Sequence, residues 1–320
     1  MQYKLKKIRS DASFREFFRL KKGNKTSIIV TAKKERYRNL IAYSAINKFL
    51  RRKGIHTPKT ISQHFSEGIM EIEDFGDNTL FHSIRKSKNI FPYYKKSVNV
   101  ILKLQKIKPI NKIKIKSNRN LKFDNYNLKN LHKDSDLFLN WYLPGVLGKK
   151  KSKKFKKKIK IELNKLYKQI YFKNKFIVHR DFHVSNIMPV KNKLGIIDTQ
   201  DVILGNPMYD VASLIDDVRI QIPLTIKNKI FQYYLKKSSL RKNIYFLKND
   251  FDILSIQRNL KILGIFYRLD IRDKKPQYLK YLPYTWKLIE LRMKNKIFKN
   301  LEKILLDAVS KKLRKKRNFK

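Results

Sequence analysis

The chain has no cysteine among its 320 residues. Disulfides and thiolate metal sites are therefore excluded, and a reducing compartment, the cytoplasm, is the simplest setting. No apolar run approaches the roughly 20 residues of a membrane-spanning helix, and the opening MQYKLKKIRSDASF lacks the apolar centre of a secretory signal. No membrane partner is expected. Acid is scarce too: 25 Asp and Glu stand against 77 Lys and Arg, a net charge of +52. Internal repeats are absent, which removes solenoid and array architectures from consideration.

What is present in quantity is lysine. Only 18 of the 77 basic residues are arginine, leaving 59 lysines, and the chain is also rich in Ile and Asn. An AT-rich genome imposes that bias on exposed positions, whereas a dedicated nucleic-acid surface favours arginine for its bidentate geometry. Nucleic acid is thus expected only as a non-specific partner of the basic surface. The positive field should still draw in anionic ligands, in a salt-dependent way. Hydrophobic residues make up 42% of the chain, enough for one large domain or two lobes with a sizeable core. The run KKKSKKFKKKIK at 149–160 reads as a solvated helix face or a mobile loop, and the tail at 311–320 as a frayed end.

The most informative stretch is VHRDFHVSNIMPVKNKLGIIDTQD, residues 178–201. Asp181, an asparagine five residues on (Asn186), and a second aspartate closing a short apolar run (Asp198) have the spacing of a phosphoryl-transfer site. One carboxylate orients the acceptor hydroxyl, while the Asn and the second Asp hold magnesium against the nucleotide phosphates. A tight loop from His179 can present Asp181 and Asn186 to one cleft. The turn Lys191-Asn192-Lys193 then folds Ile187–Val190 back beside Leu194–Ile197, delivering Asp198 to the same place. His179 and His183 have a spacing that would suit a zinc pair on a helix, but Arg180-Asp181 between them in a loop argues against it.

Upstream, residues 14–20 and 26–32 read as strands of a hairpin. Residues 34–52 read as a helix ending before Gly54, and 60–65 with 69–74 as a second strand pair. A hinge is expected at Glu73-Asp74-Phe75-Gly76-Asp77. Beyond residue 80 the pattern is mostly helical apart from the catalytic hairpin, with core helices expected over 94–105 and 155–171. The expected fold is α+β, with a small β-rich lobe over 1–76 and a larger, mostly helical lobe over 77–320.

The segment HRDFHVSN…GIIDTQD resembles the aminoglycoside phosphotransferase and choline kinase superfamily, a branch of the protein-kinase-like fold. DASFREFFRL (11–20), MEIEDFGDNTL (70–80), FLNWYLPGVLG (138–148), DTQDVILGNPMYDVASLIDD (198–217) and QRNLKILGIFYRLDIRDKKPQYL (257–279) are closest to the bacterial cell-wall amino-sugar kinases. That resemblance implies an ATP-dependent enzyme that phosphorylates the anomeric hydroxyl of N-acetylmuramate or N-acetylglucosamine, with Mg2+ as cofactor; a monomer is expected. It implies Asp181 as catalytic base and Asn186 and Asp198 as metal ligands. Ser13, Phe14 and Arg15 would replace a glycine-rich loop over the ATP phosphates, and backbone groups near Glu73, Asp74 and Phe75 would meet the adenine. Asp210 and Arg180 would be scaffold residues. Gln200 and Asp201 lie where an acceptor would sit. Trp141 could stack on the sugar or pack in the core, and Gln257 and Arg258 are further substrate candidates, Arg258 for the lactyl carboxylate of N-acetylmuramate.

One departure stands out. Kinases usually carry a lysine on the third strand, and here Thr31 or Ala32 takes that place, with Lys33 and Lys34 following as candidates to substitute. Two alternatives remain open. A related kinase could act on an aminoglycoside or choline, although a polycationic substrate calls for more acid than this chain holds. A basic nucleic-acid-associated protein with a vestigial kinase site would have no need of intact Asp181, Asn186 and Asp198.

Overall fold

The computed structural model describes residues 3–8, 15–33, 37–110, 112–115 and 120–315. The chain forms two compact units, one of Met1–Asp124 with Phe176–Leu204 and the other of Asn125–Lys175 with Gly205–Lys320.

The first unit is built on a five-stranded antiparallel sheet of β1 (Tyr3–Ile8), β2 (Glu16–Lys22), β3 (Lys25–Thr31), β4 (Thr60–His64) and β5 (Ile69–Glu73), ordered β1-β2-β3-β5-β4. Gly23, at φ 57, makes the tight turn that sets Lys22 opposite Lys25. Strand alternation turns Ile28 and Val30 inward, where they join Met70, Ile72 and, from helix α1 (Tyr37–Arg52), Leu40 and Tyr43. The two expected strand pairs and the helix lie within a few residues of their anticipated bounds. Strand β1 was not anticipated. Its sequence YKLKKI is almost wholly exposed from Lys4 onward, so it is held by its ladder to β2 rather than by burial, and no apolar alternation marks it.

The same unit continues with α2 (Leu80–Lys86), α3 (Phe91–Lys106) and a short hairpin of β6 (Lys112–Lys114) and β7 (Asn120–Lys122). Strand β8 (Phe176–Val178) pairs with β11 (Ile203–Gly205), and between them runs the hairpin of β9 (Ile187–Val190) and β10 (Lys193–Ile196). Its register sets Val190 against Lys193 and Ile187 against Ile196, as the turn at Lys191-Asn192 requires.

The second unit is helical. Helix α4 (Leu128–Leu137) passes through a π-helical turn, Phe138–Tyr142, into α5 (Leu143–Leu147). There follow α6 (Lys149–Lys168), α7 (Met208–Ile215), α8 (Leu224–Lys237), α9 (Ile244–Ile271), α10 (Leu282–Met293), α11 (Lys299–Ala308) and α12 (Lys311–Lys315). Helix α9 is buried on all sides over most of its 28 residues, the pattern of a central core helix. It touches α4 closely at Gly264, where a Cβ would stand 2.2 Å from the Leu137 carbonyl carbon. The lysine-rich run is helical: it forms the first turns of α6, with Ser152 and Ile159 inward and most of its lysines outward. The tail differs from expectation over 311–315. Those residues are helical because Arg314 pairs with Glu290 at 3.0 Å and lies over the Trp286 ring, while 316–320 fall outside the described residues. Among the described residues no helix is long and apolar enough to cross a membrane.

Candidate active site

Strand β8 delivers the chain to His179, which is buried and donates its Nε2–H to the Ile197 carbonyl at 2.9 Å. The loop then turns about the Asp181 carbonyl oxygen, which accepts from the His183 amide and from Asn186 Nδ2, both at 3.0 Å. The Ile197 amide closes the circuit on the Asn186 carbonyl at 3.1 Å. The stretches carrying Asp181, Asn186 and Asp198 are thereby laced together, as their spacing implied. Two non-glycine residues hold left-handed backbone here, Arg180 at φ 74 and Asp198 at φ 64. Such strain costs on the order of 1–3 kcal/mol per residue and persists where surrounding bonds over-determine the chain. With His179 bonded to a backbone carbonyl, the zinc reading has no support in the geometry.

Asp198 receives the guanidinium of Arg15, whose other arm donates to Gln200 Oε1 at 3.0 Å. The Gln200 amide nitrogen in turn donates to Asp198 Oδ1 at 3.1 Å and to Asp201 Oδ2 at 3.0 Å. Arg15 is buried, with its guanidinium over the Phe17 and Tyr43 rings. Burial pushes the Tyr43 hydroxyl up to about 12, so it stays neutral beside this pair. Thr199, fully buried, donates to Asn47 Oδ1 at 2.6 Å and so anchors the Asp198 turn to α1.

Ser13, Phe14 and Lys34 lie outside the described residues. Lys33 is exposed. Of the two positions offered for the third-strand lysine, Thr31 ends β3 and Ala32 is buried, its amide donating to the Gly68 carbonyl at 2.8 Å. The cation that this part of the chain brings to Asp198 is Arg15. Sequence reasoning assigned Arg15 to the phosphate loop but missed its pairing with a carboxylate 183 positions away.

The donors suit a hard cation. With Asn186 Nδ2 committed to the Asp181 carbonyl, the amide oxygen is the atom left for a metal, and Asp198 already binds a positive group. Among the described residues no set of three His, Asp or Glu could hold a metal ion. An ion here would complete its shell with water and phosphate, which is the habit of magnesium.

The expected hinge is braced by its side chains. Arg19 grips Asp74 through Nε at 2.6 Å and Nη2 at 3.1 Å, and reaches Asp77 through Nη1 at 2.7 Å. Burial alone would raise the Asp74 pKa, but Arg19 and the Gly76 amide outweigh it and hold the carboxyl below its usual range. Glu73 Oε2 accepts from the Lys59 amide at 3.1 Å and from Arg51 at 3.3 Å. The Phe75 ring packs on His56 at 4.8 Å and against Gly195, where a Cβ would meet the ring at 2.5 Å. The His56 carbonyl accepts the Ile196 amide at 2.8 Å. The segment is thus tied to the hairpin that ends in Asp198.

In the second unit the aromatic pair of the π-helical turn divides its duties. Tyr142 is buried, stacked on Phe138 at 5.3 Å, and its oxygen accepts from Trp286 Nε1 at 2.8 Å. Trp141 is half-buried. Gln257 is buried, and its amide nitrogen donates to the Tyr126 hydroxyl at 3.0 Å and the Leu131 carbonyl at 3.4 Å. Arg258 is buried beside it on α9, and Asp210 is buried in the first turn of α7.

Residues 4–243 match the phosphotransferase enzyme family. The N-acetylmuramate/N-acetylglucosamine kinase of Pseudomonas aeruginosa is 25% identical over 288 residues, covering 88% of this chain and 81% of that protein. Among solved structures, the choline kinase LicA from Streptococcus pneumoniae superposes with a TM-score of 0.60 at 14% identity, over 94% of this chain and 93% of its own. A spectinomycin phosphotransferase in complex with ADP and its antibiotic gives 0.58 at 15% identity, over 95% and 92%. Both share the protein-kinase-like α+β fold.

Proposed function

Because the chain belongs to the phosphotransferase enzyme family, we propose that it transfers the γ-phosphoryl group of ATP to the anomeric hydroxyl of an N-acetyl amino sugar, N-acetylmuramate or N-acetylglucosamine. The observation that carries this reading is the hydrogen-bonded lacing of the stretches that bear Asp181, Asn186 and Asp198, through the Asp181 and Asn186 carbonyls and the Ile197 amide, together with the kinase named for both sugars that is similar over 88% of the chain.

Asp181 would accept a hydrogen bond from the anomeric hydroxyl. The sugar oxygen then bonds to the γ-phosphorus, the bond to the β–γ bridging oxygen breaks, and ADP leaves. The hydroxyl proton passes to the Asp181 carboxylate and on to solvent. An anomeric hydroxyl is more acidic than an ordinary sugar alcohol, so a carboxylate is a sufficient base. Little covalent chemistry is asked of the protein, and positioning and charge supply the rate. Asn186 and Asp198 would hold magnesium, which offsets charge on the phosphoryl oxygens. Arg15, with Ser13 and Phe14, would lie over the phosphates, with Lys33 as a further contact. The backbone at Glu73–Phe75 would meet the adenine.

On the sugar side the reading gives Gln200, Asp201 and the half-buried Trp141 to the acceptor, with Gln257 and Arg258. Residues 1–76 would form the nucleotide-binding lobe and 77–320 the catalytic and substrate-binding lobe. Recycling of cell-wall sugars in the cytoplasm, by a monomer, is the setting proposed.

The test is ADP release from magnesium-ATP with N-acetylmuramate, N-acetylglucosamine, glucose, choline and kanamycin side by side, with reducing-end chemistry on the products. Turnover of the N-acetyl sugars with loss of the reducing end is expected, and Asp181→Asn should lower it by about 10²–10⁴-fold. Turnover of choline or kanamycin alone would overturn the substrate, and full activity of Asp181→Asn would overturn the mechanism.

A further inference from the structure

The helical unit holds a cavity of about 190 Å³ whose lining residues all belong to that unit. Its wall is made by the buried Leu131 and Leu254, the rings of Tyr126 and Tyr167, and Phe172. Leu128, 38% exposed, and the exposed Lys173 mark its mouth. The two tyrosine rings are fixed from behind: Tyr167 meets His132 edge-on at 5.1 Å, and Tyr126 meets Tyr209 at 4.9 Å. The cavity is thus shaped by α4, α6, α9 and the segment that follows α6, whose packing is set elsewhere in the core.

Most polar groups on this wall are already bonded. The Tyr126 hydroxyl donates to Asp134 at 2.6 Å and accepts from Gln257 at 3.0 Å. Asn206 donates to the Phe172 carbonyl at 3.0 Å and to Asp250 at 2.6 Å, and its oxygen accepts the Met208 amide at 2.8 Å. Asn174 donates to the Tyr126 carbonyl at 2.7 Å, which leaves its own oxygen as an acceptor. The Tyr167 hydroxyl is different: it is buried and has no hydrogen-bond partner among the described residues. The Ser135 hydroxyl near it sends its hydrogen to the Leu131 and His132 carbonyls at 3.1 and 3.2 Å. A buried donor in this state has given up its bond to water and gained nothing in return.

Size and charge narrow the ligand. An apolar protein cavity of about 150 Å³ holds benzene, so this one admits a benzene-sized ring with a small substituent. Water is poorly matched to it, because an ordered water needs about 2–4 polar partners and this wall is chiefly aliphatic and aromatic. The field inside is negative. Burial first, then Asp134 and Asp136, oppose ionisation of Tyr167 and raise its pKa, and Asp250 lies behind Asn206. An anion is therefore kept out. A cation gains little, since Asp134 is paired with Lys261 at 3.1 Å and Asp250 accepts the Tyr171 and Phe172 amides.

We propose that this cavity is a second binding site, for a small neutral aromatic ligand whose substituent accepts a hydrogen bond from the Tyr167 hydroxyl. It takes neither the nucleotide nor an acidic sugar, so the inference stands apart from the amino-sugar reading.

The full chain would be mixed at millimolar concentration with benzamide, phenol, toluene as a ring without a polar group, and benzoate as the charged counterpart. Binding is read by saturation-transfer NMR and by thermal unfolding. Benzamide and phenol should bind and raise the melting temperature, with or without magnesium-ATP, and benzoate should do neither. Tyr167→Phe keeps the ring and removes the donor, so it should weaken benzamide about fivefold and leave toluene unchanged. Leu128→Trp, which fills the cavity from its exposed mouth, should abolish binding of every neutral probe while its own melting temperature stays near that of the parent. Should Leu128→Trp fail to fold, Tyr167→Phe decides alone. Absence of binding by both benzamide and phenol would overturn the proposal, and so would benzamide binding that neither variant changes, which would place the probe elsewhere. Equal binding of benzoate would overturn it too, as the mark of attachment to surface lysines.

Discussion

At the scale of single residues, the pairing of Arg15 with Asp198 is the feature on which the proposed chemistry turns. The buried Arg15 guanidinium lies against Asp198, and in the proposed reading it would donate to phosphate once a cation took its place on the carboxylate. Lys33, the other candidate to stand in for the third-strand lysine, is exposed, and an exposed ammonium contributes little. Arg15→Met is accordingly expected to raise the KM for ATP by about tenfold, the worth of one charge-assisted hydrogen bond. It should also tighten manganese binding measured without nucleotide, because the competing cation is gone. Lys33→Met should leave both within about twofold. Isothermal titration of both variants separates the two, and the reverse ranking would return the role to Lys33. Asp181, Asn186 and Asp198 were legible in the sequence because all three lie within 18 residues, where a loop and a hairpin fix their approach. The pairing of Arg15 with Asp198 was not, since nothing local to either residue points to the other.

Between elements, the strongest tie in the helical unit is the fully buried carboxylate of Asp216 at the end of α7. It accepts from Lys227 of α8, from Arg292 of α10 through Nε at 2.8 Å and Nη2 at 2.9 Å, and from Ser255 of α9. Burial by itself would raise this pKa, but Lys227 and Arg292 outweigh it and hold the carboxyl well below the usual range. Asp216→Asn would leave two cations buried without their shared anion, a loss of about 3–5 kcal/mol. The melting temperature should drop by roughly 5–15 °C. A group whose folded pKa is depressed contributes stability above its unfolded value, 3.8 here, and loses that contribution as pH falls toward the folded value. The parent should therefore lose stability in acid more steeply than Asp216→Asn, and parallel acid-unfolding curves would refute the assignment. The sequence showed Asp216-Asp217 only as part of a family-like segment. Four helices had to converge before Asp216 became a hub.

At the scale of the whole molecule the charge of +52 is the dominant fact. Lysines along the outer face of α6 contribute to it without forming part of the laced site. A field of this size speeds encounter with an anionic nucleotide and is screened within a Debye length of about 10 Å at 0.1 M salt. kcat/KM for ATP is expected to fall several-fold between about 0.05 and 0.5 M potassium chloride, with kcat little changed. Replacing Lys150, Lys153, Lys154 and Lys157 by Gln should flatten that dependence. A salt response carried by kcat would place the effect in the chemical step instead.

Sequence alone determined the α+β order of elements and the identity and spacing of Asp181, Asn186 and Asp198. Each of these depends on residues close together in the chain, through strand alternation, turn chemistry and loop length. Tertiary structure decided which charges are paired. Arg15 meets Asp198, and Asp216 gathers Lys227 and Arg292. Pairing depends on distance in space, which the order of residues does not spell out. β1 illustrates the same limit for backbone structure, since its strand conformation depends on the ladder to β2 rather than on any pattern of its own.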